Sequence, residues 1–186
     1  GSADGDADAV LLDRFVRQRD ESAFAALVAR HGPMVLRLCR RALGDAQDAE
    51  DVFQATFLVL ARQAGTVRRP DSLAAWLHGT AHRLALRCRR ADGRRRHREA
   101  RSLPSSGRPQ RDPLDELSAR ELLLILDEEL QRLPEAYRLP LILCCLEGRT
   151  QEETARQLGW TAGAVKGRLE RGRARLHERL VRRGLT

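Results

Sequence analysis

Aromatic residues make up only 4% of the 186-residue chain, with one methionine and one tyrosine. Its cores must therefore be built mainly from Leu, Val and Ala. Cysteine is scarce: Cys39, Cys88 and the adjacent Cys144 and Cys145. No CxxC pair occurs, so neither a structural zinc site nor a thioredoxin-like motif is supported. Buried thiols in a reducing cytoplasm are expected, since free cysteine behaves as a small hydrophobe. His78, His82 and Cys88 stand at helical spacing but lack a fourth ligand, and no metal is assigned to them. No apolar run approaches the roughly 20 residues needed to cross a bilayer. The opening GSADGDADAV is acidic and polar, unlike a signal peptide, so a cytoplasmic protein without membrane insertion is expected. Also missing are a phosphate-cradling Gly-rich loop, an HExxH helix, a paired-carboxylate metal cluster and a Ser/His/Asp set. The expectation is a protein that is not an enzyme and uses no cofactor.

Charge is abundant and unevenly placed. The chain has 34 Lys plus Arg against 26 Asp plus Glu, a formal net charge of +8. Residues 83–101 hold nine arginines against Asp92 and Glu99, and residues 165–183 hold eight bases against Glu170 and Glu178. Acids dominate residues 1–60, by ten to seven, and residues 112–135, by eight to two. Two separate basic blocks suggest two contacts with one polyanion, with acidic faces left for something else.

The stretch Ser102–Pro113 carries three prolines, three serines and one glycine. Proline removes backbone donors and disfavours helix before it, so a linker is expected over 98–113 between a domain at 8–97 and a second at 114–183. About fifteen extended residues at ~3.3 Å each span roughly 50 Å, more than one duplex turn. Both halves show helical periodicity without strand alternation. The fold class is all-α: two small helical domains joined by a flexible linker. Helices are expected at 8–19, 21–43 (kinked at Gly32-Pro33), 45–63, from an Asp71 cap into the first Arg block, 117–132, 135–147 (imperfect at Pro140), 151–158 and 162–181.

The last two helices carry the most specific pattern. Thr150-Gln-Glu-Glu153 forms a capping box. Ala155 is the small residue that two crossing helices need, Gly159 tolerates positive φ in the turn, and Val165 and Leu169 anchor the second helix. Thr161 is a suitable N-cap. This is a helix-turn-helix with a basic second helix. Thr161, Gly163, Ala164, Lys166, Gly167, Arg168, Arg171 and Arg175 supply small residues for close groove approach, then cations for phosphates or guanine edges.

A second pattern is DAEDVFQATF at 48–57, which puts acids and Gln54 around one helix face with Phe53 and Phe57 one turn apart. After it come AWLHGTAHRLALRCRR at 75–90, the linker, LPEAYRLPLILCCLEGRTQEETARQLG at 133–159 and the basic helix-turn-helix. In that order the chain resembles the bacterial sigma-70 family over residues 10–182, in particular its two-domain extracytoplasmic-function (ECF) group, and within it the Arg-rich planctomycete-type members.

The resemblance implies a promoter-specificity subunit, with core RNA polymerase and promoter DNA as partners. Asp48, Glu50, Asp51, Gln54 and Phe57 match region 2.2, which docks on the β′ clamp helices. The β flap is a further polymerase contact, and an anti-sigma factor a further partner, by family analogy. Arg68, Arg69, Trp76, His82, Arg83 and Arg87 match the regions that hold the opened −10 element. Thr161, Gly163, Ala164, Lys166, Arg168, Arg171 and Arg175 match the −35-reading surface of region 4.2. Arg83 stands where many members carry Asn. Gly163-Ala-Val-Lys-Gly-Arg168 replaces a common Gly-Thr-Val-Lys-Ser-Arg run and lacks two hydroxyls. Promoter melting without ATP hydrolysis would rest on capture of unpaired bases, a few kcal/mol each, by a monomer on a bipartite, asymmetric site. From the residues alone a second possibility stays open. An ordinary helix-turn-helix regulator would bind duplex DNA as a dimer on a palindrome, though residues 8–97 show no heptad seam for dimerisation.

Overall fold

The computed structural model describes residues 7–67, 70–102 and 119–185. Arg68, Arg69 and most of the expected linker lie outside them. All regular structure in the described residues is helical: α1 Asp8–Gln18, α2 Glu21–Ala42, α3 Ala46–Gln63, α4 Leu73–Ser102, α5 Ala119–Gln131, α6 Glu135–Leu141, α7 Gln151–Leu158 and α8 Ala162–Val181. No helix among them is long and apolar enough to cross a membrane.

Helix starts follow their capping chemistry. Asp20 accepts from the amides of Ser22 and Ala23 at 3.0 and 3.2 Å and opens α2. Its carboxylate also accepts from the Ser22 hydroxyl and from Arg14, contacts that hold its pKa down at about 2. Asp45 opens α3 in the same way through Gln47 and Asp48. Satisfying these free amides is what favours Asp at such positions. α2 is one continuous helix with Pro33 inside it. Two expectations need adjustment. Asp71 sits in a 3₁₀ turn, Pro70–Ser72, and α4 begins after it at Leu73. α4 also continues to Ser102, past residue 97. Pro140 lacks the N–H that an α-helix needs, and α6 passes into a π turn, Ile142–Leu146, just after it.

Domain one packs α1 to α4 around Leu11, Leu27, Leu38, Leu60, Leu73 and Leu77, all fully buried. Domain two packs α5 to α8 around Leu139, Ile142, Leu143, Val165 and Leu169. Gly172 sits where α8 meets α6: a Cβ there would lie 3.2 Å from both Leu141 Cδ1 and the Tyr137 carbonyl. All four cysteines are free. Cys39 is buried, but Cys145 is exposed, so the expectation of buried thiols fails there. The two halves do not stand apart. α5 lies on α2 and α4, α6 reaches α4, and buried apolar residues of both halves form one cluster.

Candidate nucleic-acid interface

The helix-turn-helix forms as its residues dictate. The Thr150 hydroxyl accepts from the Glu153 amide at 3.1 Å, and the Glu153 carboxylate accepts from the Thr150 amide at 2.8 Å. These bonds and nearby cations hold the Glu153 pKa below the ordinary range, the Thr150 backbone bond being the largest cause. α7 ends at Gly159 with φ 65°, a left-handed conformation that favours glycine. The Thr161 hydroxyl then accepts from the Ala164 amide at 3.1 Å and starts α8. Ala155 is buried at the crossing, and Val165 and Leu169 anchor α8.

On the outer side of α8, Thr161, Gly163, Lys166, Arg171 and Arg175 are exposed, with Ala164 and Arg168 half-buried. Two of the arginines are already engaged. Arg168 stacks on Trp160 at 3.9 Å and Arg175 on Tyr137 at 4.4 Å. Cation–π stacking fixes a guanidinium in place while leaving its edge able to donate. Among the described residues, Lys166 and Arg171 of this surface carry no such ring stack. Neither stack follows from the periodicity of α8, because Trp160 and Tyr137 lie outside that helix.

On α4, Arg83 and Arg87 are exposed and Trp76 is half-buried. Arg83 donates to the Thr80 hydroxyl at 3.0 Å. Trp76, Gly79 and Arg83 line one wall of a cleft of about 490 Å³ whose opposite wall is Gln131, Glu135 and Arg138 of domain two. His82 does not share the exposed face: it is 5% exposed, because positions 78 and 82 turn toward domain two. Burial pushes its pKa down, with nearby Asp127 opposing. The sketched set of His78, His82 and Cys88 is therefore not assembled. His78 lies against Asp127, whereas Cys88 lies beside Asp48 and Asp92 on the α3 side.

α3 presents Gln47, Glu50, Asp51, Gln54 and Leu58 as one exposed stripe. Asp51 accepts from Gln47 at 3.0 Å. Leu58, 58% exposed, is a large apolar side chain ending the stripe. Sequence reading missed it, though its place one turn beyond Gln54 was a usable signal. Phe57 is 5% exposed and lies under the stripe, edge-on to Phe53 with centroids 5.1 Å apart. Asp48 is half-buried. Burial, then the adjacent Asp92 carboxylate, pushes its pKa up, so it stands apart from Glu50, Asp51 and Gln54.

The arrangement is thus an acidic stripe, a basic helix beside a tryptophan-lined cleft, and a basic helix-turn-helix, on elements in that chain order. Residues 27–95 match the family model Sigma-70 region 2, and residues 123–176 match Sigma-70, region 4. RNA polymerase sigma factor CarQ of Myxococcus xanthus is 34% identical over 172 residues, covering 91% of this chain and 95% of CarQ. ECF RNA polymerase sigma factor SigM of Mycobacterium tuberculosis is 32% identical over 170 residues, covering 91% of this chain and 82% of SigM. ECF RNA polymerase sigma factor SigE of Mycolicibacterium smegmatis is 34% identical over 158 residues; the match spans 84% of this chain but only 61% of SigE. The chain belongs to the sigma-70 family, among its ECF members.

Proposed function

We propose that this chain is a cytoplasmic ECF-type sigma subunit that binds core RNA polymerase, directs it to promoters through −35 and −10 contacts, and helps to open the DNA. It works as a monomer on an asymmetric site and contributes no catalytic residue. The observation that carries this reading is the order of the two family regions in one chain, each with the surface its role requires: acidic and polar on α3, basic on α4 and α8. Glu50, Asp51 and Gln54 meet the β′ clamp helices, and Leu58 adds an apolar contact. Phe57 supports them from beneath. Arg83, Arg87 and Trp76 hold the opened −10 strand, with cations along the backbone and a ring plane for an unstacked base. Lys166 and Arg171 hold phosphates of the −35 duplex, and Arg168, fixed on Trp160, faces base edges. The β flap and an anti-sigma protein complete the set of partners.

The test is core-polymerase affinity of the Asp51→Arg, Gln54→Ala double variant. Loss of at least about tenfold, about 1.4 kcal/mol, is expected, with duplex-DNA binding by the helix-turn-helix retained. Unaltered polymerase affinity would remove α3 from the docking surface.

A further inference from the structure

α8 buries Val165, Leu169 and Gly172. At about 100° per residue, Gly163, Gly167, Glu170 and Ala174 project within about 60° of arc on the opposite side. Gly163, Glu170 and Ala174 are exposed and Gly167 is half-buried. Three cations are drawn to the flanks of this strip. Arg168 stacks on Trp160 and Arg175 on Tyr137 along one flank. Arg173, on the other, donates to the Cys145 thiol at 3.6 Å. Arg171 borders the strip and leans back along the helix, since a Cβ on Gly167 would lie 3.4 Å from its Nη1. Of the four strip residues, Glu170 alone has a long side chain to send into a groove.

Glu170 also stands out by charge. From Ala162 to Arg175 it is the single acid among Lys166, Arg168, Arg171, Arg173 and Arg175. Elsewhere, acids at helical spacing find their cations: Asp13 pairs with Arg17 and Glu128 with Arg132. Lys166 stands one turn before Glu170, yet no hydrogen bond or ion pair joins Glu170 to any of the described residues. An unneutralised carboxylate on a helix lying between two rows of phosphates weakens binding unless it gains a donor there. The major groove offers amino donors on two bases, cytosine N4 and adenine N6; guanine N7 and O6 and thymine O4 are acceptors that repel a carboxylate. Adenine N6 lies between two acceptors, its own N7 and the thymine O4 across the pair. Cytosine N4 has an acceptor on one side, guanine O6, and a C5–H on the other. A carboxylate is therefore matched best to cytosine.

We propose that Glu170 is a specificity-determining residue of the −35 contact: its carboxylate enters the major groove and accepts from N4 of a cytosine, while Lys166 and Arg171 on either side hold phosphates. The proposal rests on the reading of α8 as the −35 helix. It gives Glu170 effects of opposite sign, a loss of affinity for random duplex and a gain in discrimination at one base pair. A carboxylate that merely faces water would affect neither, and one that only supported the fold would raise both.

Full-length protein assembled with core RNA polymerase tests it, on a pool of templates randomised upstream of one mapped start site. Sequencing of the transcribed templates gives the base preference at each upstream position for wild type, Glu170→Ala and Glu170→Gln. Wild type should favour cytosine at one position by at least about fivefold. Glu170→Ala should lose that preference and keep the others. Glu170→Gln, which can both donate and accept, should shift the same position toward adenine. Holoenzyme carrying Glu170→Ala should bind a random-sequence duplex no more weakly than wild type. Wild-type preferences at every position in Glu170→Ala would overturn the proposal, as would a position that changes but reads a base other than cytosine in the wild type. Relaxation of all positions together with weaker binding to random duplex would also overturn it, marking Glu170 as structural. In each of those three cases the wild type still selects an upstream sequence, so the −35 reading of α8 stands. Wild-type holoenzyme that initiates at the mapped start but selects no upstream sequence would overturn that reading and the proposal with it.

Discussion

Replacing His31 by Gln should make the pH dependence of stability measurably flatter above neutrality. Burial by itself would push the His31 imidazolium down. Hydrogen bonds and charge from Asp8 and Glu147 outweigh it and raise the pKa from 6.5 to about 9. Cations face both carboxylates as well: Arg30 pairs with Asp8 at 2.6 Å and Arg149 with Glu147 at 3.0 Å. A folded-state value above the unfolded one contributes stability that is complete below pH 6.5 and disappears as pH rises through about 9. The difference corresponds to about 3 kcal/mol, and the ring is fully buried, so solvent screening removes little of it. Cys39, pushed up to about 11 by burial, stays a neutral thiol over the same range. Urea unfolding of both proteins at about pH 6, 8 and 10 reads the effect. The wild type should lose about 3 kcal/mol more than His31→Gln between the extremes. Parallel curves would show that His31 is not an imidazolium held between two carboxylates.

Four further outcomes are expected. Lys166→Ala should lower the slope of log affinity against log salt on duplex DNA by about one ion; an unchanged slope in a salt titration would take Lys166 off the phosphate contacts. Arg168→Ala should also loosen the start of α8, because the guanidinium packs on Trp160, and a red-shifted Trp160 emission in a Trp76→Phe background would report it; no shift would mean that the stack is absent in solution. Gly172→Val should destabilise domain two by roughly 1–3 kcal/mol in thermal unfolding, because the Tyr137 carbonyl at 3.2 Å cannot move aside; a neutral result would place α6 farther from α8. Thr150→Ala should cost about 1 kcal/mol, read by denaturation, and Thr150→Ser should restore it.

The local devices were legible because they are written in adjacent residues. The Thr150–Glu153 box, the Gly159 turn and the Asp45 cap need only three or four positions to declare themselves, and each forms as expected. Periodicity likewise gave the helices and the face of α3 that carries Glu50, Asp51 and Gln54. It did not give what each face meets. His78 and His82 share one face of α4, but only the arrival of α5, from beyond the linker, decides that this face is buried. Arg41 and Asp127 lie 86 positions apart, and His31 and Glu147 lie 116 apart. A side chain's own stretch carries no trace of such a partner. A Pro- and Ser-rich linker gives no sign of the pairing of charges between the halves it joins. Asp48 illustrates the same limit within domain one: its place in the acidic motif suggests the docking stripe, whereas α4 brings Asp92 against it.

Run-off transcription with core polymerase is the most direct measurement of the sigma reading. Purified chain added to core enzyme on promoter-bearing templates should produce transcripts from defined start sites, and the Asp51→Arg, Gln54→Ala variant should lose them. A chain that neither binds core enzyme nor yields any defined start would contradict the account.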